Sequence, residues 1–220
     1  MNRLLLASSS SYRAKLLAQL GFRFDVYSPD VNEQPSEKES PHELAYRLSK
    51  AKAQKAQLQY PDHTIIASDQ VACLAGSHIP IGKPYTAENA IKQLTSFSGN
   101  TVHFFTGLCV IVPKCIAEHA AAKDANITDT KVFSSKLAHK NEKTIVERFD
   151  VHFRELSHSQ IAKYVELDSP LNCAGSFKAE GLGIHLFAGF DGRDYNSLIG
   201  LPLMALIDIL HEFGIDSLPN

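Results

Sequence analysis

Residues Arg3 to Gly21 read RLLLASSSSYRAKLLAQLG, and this order of residue types decides the fold class. Arg3 to Ala7 is a short apolar strand, Ser8 to Ser11 a polar turn, and Leu16, Leu17 and Leu20 mark an amphipathic helix ending at Gly21. The unit is βα. Phe22 to Tyr27 alternates as a second strand, and Ser28 to Glu39 is a polar loop with Pro29, Pro35 and several carboxylates. Ser40, Pro41 and Glu43 supply an N-cap, a proline at the first helical position and the glutamate of a capping box, for a helix to about Gln59.

Thr64 to Ala67 is a β-branched, apolar strand whose end carries Ser68, Asp69 and Gln70, where α/β sheets hold their ligands. Gly82, Lys83 and Pro84 form a tight loop before a helix capped by Thr86 and reaching about Ser96, and Thr101 to Val112 is a long strand. Pro113 to Thr144 is polar and aperiodic and reads as an inserted, mobile surface excursion. Ile145 to Phe153 is again a strand, and Ser157 with Gln160 makes a second capping box for a helix to about Glu166. Asn172 to Phe187, with Gly175, Gly181 and Gly183 among apolar residues, reads as a bent hairpin where backbone must approach something closely. A turn at Asp191 and Gly192 leads through Gly200, Leu201 and Pro202 to a final helix ending near Phe213. Strands and helices alternate and then strands cluster, which predicts an α/β domain: a mixed sheet flanked by helices, spanning residues 1–220.

Composition narrows the function. The 220 residues are 44% hydrophobic and 21% charged with a net charge of −2, so no basic field exists to hold nucleic acid or anionic lipid. Leu4 to Ala7 is far shorter than a membrane span or signal segment, and the expected setting is the cytoplasm. Cys73, Cys109, Cys115 and Cys173 form no C-x-x-C pair, so they read as reduced, mostly buried thiols. A Walker loop, an H-E-x-x-H helix and a G-x-S-x-G elbow are all absent from the sequence.

The serine turn precedes a helix N-terminus, where N–H groups, hydroxyls and the positive helix end attract an anion such as phosphate. Arg13, in the first turn of that helix, opposes the dipole unless an anion lies nearby; a plain serine N-cap with a solvated arginine fits the same residues. Leu44, Leu48 and Lys52 share one helix face, so the lysine either snorkels at the core edge or serves a ligand. Lys83 poses the same alternatives in a stiff loop. Asp69, at the end of a buried strand, requires a cation, donors or a metal, or else acts as a helix or turn cap. With Glu33 as a second carboxylate facing Arg and Lys side chains, the set suits a divalent metal and a polyphosphate together.

Seven segments then fall into one pattern: LASSSSYR (Leu6 to Arg13), the Glu33 loop, the Lys52 helix, SDQV (Ser68 to Val71), GKP (Gly82 to Pro84), SGN (Ser98 to Asn100) and GLPL (Gly200 to Leu203). Their order and spacing resemble the Maf family of nucleoside triphosphate pyrophosphatases. The resemblance implies an elongated mixed sheet with a central cleft, similar to inosine triphosphatases, and hydrolysis of a nucleoside triphosphate to monophosphate and pyrophosphate. It implies Asp69 as catalytic base, Glu33 and Asp69 as carboxylates for Mg²⁺ or Mn²⁺, and Ser8, Ser10, Arg13, Lys52 and Lys83 as the phosphate-contacting set. The expected partner is the nucleotide, with no nucleic acid or membrane, and a homodimer is one assembly that the sequence leaves open.

CAGSFKAEG (Cys173 to Gly181), FDVHF (Phe149 to Phe153), Tyr12 and Gln70 resemble the branch that cleaves 7-methyl-GTP, making Tyr12, Gln70 and Glu180 the specificity residues. 7-Methylguanine is cationic, so Tyr12 can stack on it and the Glu180 carboxylate can accept from N1–H and the exocyclic amine. Three features depart from the family pattern: Asn32 stands where Asp is usual, Ala14 where a second Arg often follows Arg13, and the excursion from Pro113 to Thr144 has no counterpart. Asn32 motivates an alternative, a nucleotide-binding regulator of cell division with little turnover; a further alternative keeps the hydrolysis but prefers unmodified nucleotides.

Overall fold

The computed structural model describes residues 3–117, 141–216 and 218. Among the described residues six strands, β1 (Arg3–Ala7), β2 (Phe24–Tyr27), β3 (His63–Leu74), β4 (Thr101–Ile111), β5 (Glu142–Phe153) and β6 (Phe187–Asp191), form one sheet in the order β2-β1-β3-β4-β5-β6. β1 runs parallel to both β2 and β3, and every later pairing is antiparallel. The helices that lie wholly within the described residues are α1 (Ser11–Gln19), α2 (Pro41–Gln59), α3 (Ala87–Phe97), α4 (His158–Asp168), α5 (Tyr195–Ile199) and α6 (Leu203–Glu212). The expected mixed α/β architecture is what forms, with the capping boxes at Ser40 and Ser157 both closed.

Side-chain alternation sends Leu4, Leu6 and Ile66 toward α1 and α6, and Leu5, Ala7, Ile65 and Ala67 toward α2. At the far end of the sheet, Phe104, Phe149, Val151 and Phe153 pack with α3, α4 and the segment after α4.

Three sequence expectations are corrected. First, β3 does not stop before the Ser68 cluster. Its pairing with β1 ends at Leu6 and Ile66, but antiparallel pairing with β4 carries it on to Leu74 opposite Val102. Asp69 is therefore mid-strand, just past the end of β1. Secondly, Asn172 to Phe187 is not a hairpin: it coils through two 3₁₀ turns, Ala174–Ser176 and Leu182–Leu186, before β6. The close backbone approach is real, since a Cβ on Gly183 would lie 2.3 Å from the Lys178 carbonyl oxygen. Thirdly, ordered chain enters both ends of the proposed excursion. Ala117 is buried against the α6 cluster, and β5 begins at Glu142, where Glu142 pairs with Lys50 at 2.8 Å and Lys143 with Glu212. Those polar residues sit in a strand because their charges are met across the sheet and its helices. The remainder of the excursion, residues 118–140, lies outside the described residues.

α2 crosses β3 and β4 at very short range. A Cβ built on Gly107 would come 2.2 Å from the Ala45 carbonyl oxygen and 2.6 Å from Ser49 Oγ. Gly107 also pairs directly with Asp69, so the contact that seats α2 adjoins the carboxylate. Gly107→Ala is expected to destabilise the protein by about 1–3 kcal/mol, the usual cost of overpacking, read by chemical denaturation. A variant as stable as wild type would show that α2 is not seated by this contact.

Candidate active site

Where β1 stops and β3 continues, the sheet opens into a cavity of about 820 Å³. It is lined by the serine turn, the Ser28 to Glu33 loop, α2, β3, the Lys83 loop and the coil after α4. Ser8, Ser10, Tyr12, Arg13, Glu33, Lys52, Asp69, Gln70, Lys83 and Glu180, dispersed over 170 positions of sequence, all line it.

The two faces of β3 divide the work. Asp69 points toward α2, where the buried Lys52 ammonium donates to its Oδ1 and also lies 2.7 Å from Glu33 Oε1. A lysine only 8% exposed needs such partners, because an unpaired buried charge is costly. The Lys52 hydrogen bond holds the Glu33 carboxyl below its ordinary pKa, against partial burial and with help from the charges of Lys52, Lys83 and Arg13. Lys83 itself is exposed at the rim.

Ser68 and Gln70 point to the opposite face. Ser68 Oγ donates to the Gly200 carbonyl at 2.8 Å, and the same oxygen accepts from Arg13 Nε at 2.8 Å. Arg13 also donates to Ser8 Oγ at 3.2 Å, so the GLPL segment acts as the backstop that aims the arginine into the serine turn. Burial lowers the Arg13 pKa while Asp69 and Glu33 offset part of the effect; a guanidinium stays charged at neutral pH and so favours an anion beside it. Ser10 is the N-cap of α1, its side chain accepting from Arg13 N. The Gln70 amide nitrogen is committed to Thr106 Oγ1 and the Ser197 and Leu198 carbonyls, which ties α5 to the cavity wall.

Elsewhere on the lining, Tyr12 is half-buried near the Cys173 thiol; burial, then Cys173, Glu180 and Asp168 raise the Tyr12 pKa. Phe104 and Phe177, edge to face at 5.4 Å, are also on the wall, and Glu180 on the lining is exposed. Lys178 lines the cavity too, but its ammonium donates to the Asp168 carbonyl, at the C-terminus of α4 where a cation is favoured. The sequence reading missed Phe104, Phe177 and Lys178: nothing distinguishes a floor phenylalanine from a core one until the backbone folds, although a cation within CAGSFKAEG was visible.

Two of the departures, Asn32 and Ala14, are not among the residues that line the cavity. Asn32 Oδ1 accepts from Gln34 N at 3.0 Å and shapes the turn, and Ala14 packs against the α1 and α6 core. Of the cysteines, Cys73 and Cys109 are buried, Cys173 half-buried and Cys115 exposed, so the expectation of mostly buried thiols holds only for the first two. Burial pushes the Cys109 thiol up to about 12, beyond any nucleophilic role at neutral pH.

Because the Glu33 pKa is depressed, the stabilisation from its pair with Lys52 is present above the ordinary value of 4.5 and is lost as pH falls through the lower folded value. An NMR titration of the Glu33 carboxyl should give a midpoint below 4.5, and Lys52→Met should move it upward. An unshifted wild-type midpoint would rule the pairing out.

Solved structures similar to this chain include a Ham1 protein from Coxiella burnetii (13% identity, 96% of this chain and 100% of that chain covered, TM-score 0.47) and the Staphylococcus aureus Ham1 protein (16%, 70% and 73%, 0.40). Another is a nucleoside-triphosphatase, dITP/XTP pyrophosphatase, from Mycobacterium abscessus (14%, 70% and 75%, 0.35). Residues 3–213 match the family model described as Maf-like protein, a span that takes in all six strands and every cavity residue named above. The chain belongs to the Maf-like family, whose members are nucleoside triphosphate pyrophosphatases, hydrolases of phosphorus anhydrides.

Proposed function

We propose that this protein hydrolyses 7-methyl-GTP, or a closely related modified nucleotide, to the monophosphate and pyrophosphate in a house-cleaning role in the cytoplasm. The observation that carries the reading is the cavity itself: one carboxylate pair, three cations and an N-terminal serine turn converge on a space sized for a nucleotide. Ser8, Ser10 and the first turn of α1 supply donors for phosphate oxygens, with Arg13 held beside them by Gly200.

A divalent ion fits this donor set. Among the described residues no group of three or more His, Cys, Asp or Glu side chains gathers to hold a metal, but Mg²⁺ characteristically uses one or two carboxylates with substrate phosphates. Glu33 and Asp69, already sharing one ammonium, are the two that would hold it. When bound, Mg²⁺ or Mn²⁺ supplies neutralisation of phosphate charge. Asp69 orients a water and takes its proton as the water oxygen bonds to the α-phosphorus and the bond to the β-phosphate bridging oxygen breaks. Arg13, Lys52 and Lys83 offset the charge of the departing pyrophosphate.

Base choice rests on other residues of the cavity lining. Tyr12 offers a ring face, and the Glu180 carboxylate on the cavity lining favours a cationic base over a neutral one. Glu180 accepts from the guanine edge, while Gln70 acts there chiefly by anchoring α5.

The test is a panel of 7-methyl-GTP, GTP, UTP and dTTP with Mg²⁺ or Mn²⁺. 7-Methyl-GTP should have the highest kcat/KM, and Asp69→Asn should lower kcat about 10²- to 10⁴-fold, the usual worth of general base catalysis. Glu180→Gln should cost about tenfold or more on 7-methyl-GTP, the value of a hydrogen bond between charged groups, and less on UTP. Preference for an unmodified nucleotide overturns the base assignment, and tight binding with no pyrophosphate release from any nucleotide points instead to a regulator.

A further inference from the structure

Residues 32–38, which carry Glu33, are all exposed, so no packing fixes the carboxylate that meets Lys52. What holds them is a side chain outside the cavity. Arg47, on α2, donates from Nε to Glu39 Oε1 at 2.6 Å and from one terminal nitrogen to Glu39 Oε2 at 2.9 Å. Its terminal nitrogens also donate to the carbonyl oxygens of Asn32 at 3.3 Å and Gln34 at 3.0 Å, the residues on either side of Glu33. Glu39 Oε2 accepts from Ser36 N at 2.9 Å as well, so the acceptor is itself tied into the loop.

We propose that Arg47 is the positioning residue for Glu33. The guanidinium spans four acceptors because its donors are fixed in a planar fork, which a lysine cannot reproduce. Arg47 and Lys52 share α2, so Glu33 and the ammonium it meets are referred to one rigid body. α2 is in turn seated on β4 at Gly107, opposite Asp69. Arg47 does not line the cavity; its hydrogen bonds bear on the site through where Glu33 stands, while its charge also acts on Asp69 from a distance, a contribution that Arg47→Lys retains. The catalytic side of this inference rests on the role proposed above for Glu33; the ordering of the loop does not.

The experiment compares wild type, Arg47→Met, Arg47→Lys and Glu39→Gln in the full chain. Hydrogen exchange of the ligand-free protein should show amides 32–39 exchanging faster in Arg47→Met, with protection of the α2 core and β3 retained. With saturating 7-methyl-GTP, the Mn²⁺ concentration for half-maximal pyrophosphate release should rise about tenfold, the low end for losing a partner that orients a ligand, while kcat at saturating Mn²⁺ changes less than about twofold. Arg47→Lys should recover part of that shift, and Glu39→Gln should reproduce it without adding to Arg47→Met in the double variant. Unchanged exchange at 32–39, protection lost throughout α2, or a fall in kcat with unchanged Mn²⁺ dependence would each overturn the assignment. If wild type cleaves no triphosphate, the proposed activity fails, and the exchange data still decide whether Arg47 orders the loop.

Discussion

A single buried ammonium organises this molecule's cavity. Lys52 occupies a position on α2 where the helix pattern calls for an apolar side chain, and it is tolerated because Glu33 and Asp69 both meet it. That arrangement demands three independent placements: α2 pressed onto the sheet, Asp69 turned toward α2, and an otherwise unpacked loop folded back over the helix. Gly107 permits the first, strand alternation fixes the second, and Arg47 governs the third. Each is local, yet the ion cluster exists only when all three hold.

The sheet contributes more than a platform. By outlasting its parallel neighbour β1, β3 carries Asp69 on one face and Ser68 and Gln70 on the other into the space beyond β1. The α2 side thereby acquires paired charges, and the α6 side acquires the Gly200 backstop for Arg13. The lining is chemically uneven: Arg13, Lys52 and Lys83 stand with serine hydroxyls and the Glu33 and Asp69 carboxylates, while Tyr12 lies near Cys173 and Glu180, with Phe104 and Phe177 also on the wall.

Much of this was legible in local sequence. Both capping boxes, the N-cap at Thr86 and the strand from Arg3 are set by interactions within a few residues, and they form where the residue types place them. The ten candidate residues, singled out by the family resemblance together with the charge pattern rather than by any one residue's chemistry, also line one cavity. The misreadings share a cause. The extension of β3 past Asp69, the strand at Glu142 to Thr144 and the coil over Asn172 to Leu186 depend on partners far away in sequence: β4, the charges on α2 and α6, and the backbone near Lys178.

The sequence by itself determined the βα opening, the helices α1 to α4 and α6 to within a few residues and the inventory of charged and hydroxyl groups, because capping, periodicity and burial cost act at short range, whereas the short α5 at Tyr195–Ile199 was not read. Only the tertiary structure decided that Asp69 lies mid-strand, that Gly200 and Ser68 aim Arg13, that Asn32 and Ala14 stand apart from the cavity, and that Arg47 brackets Glu33. These are relations between segments, and no local propensity encodes which carbonyl or carboxylate will come within reach of a given donor until the sheet order and helix seating bring them together.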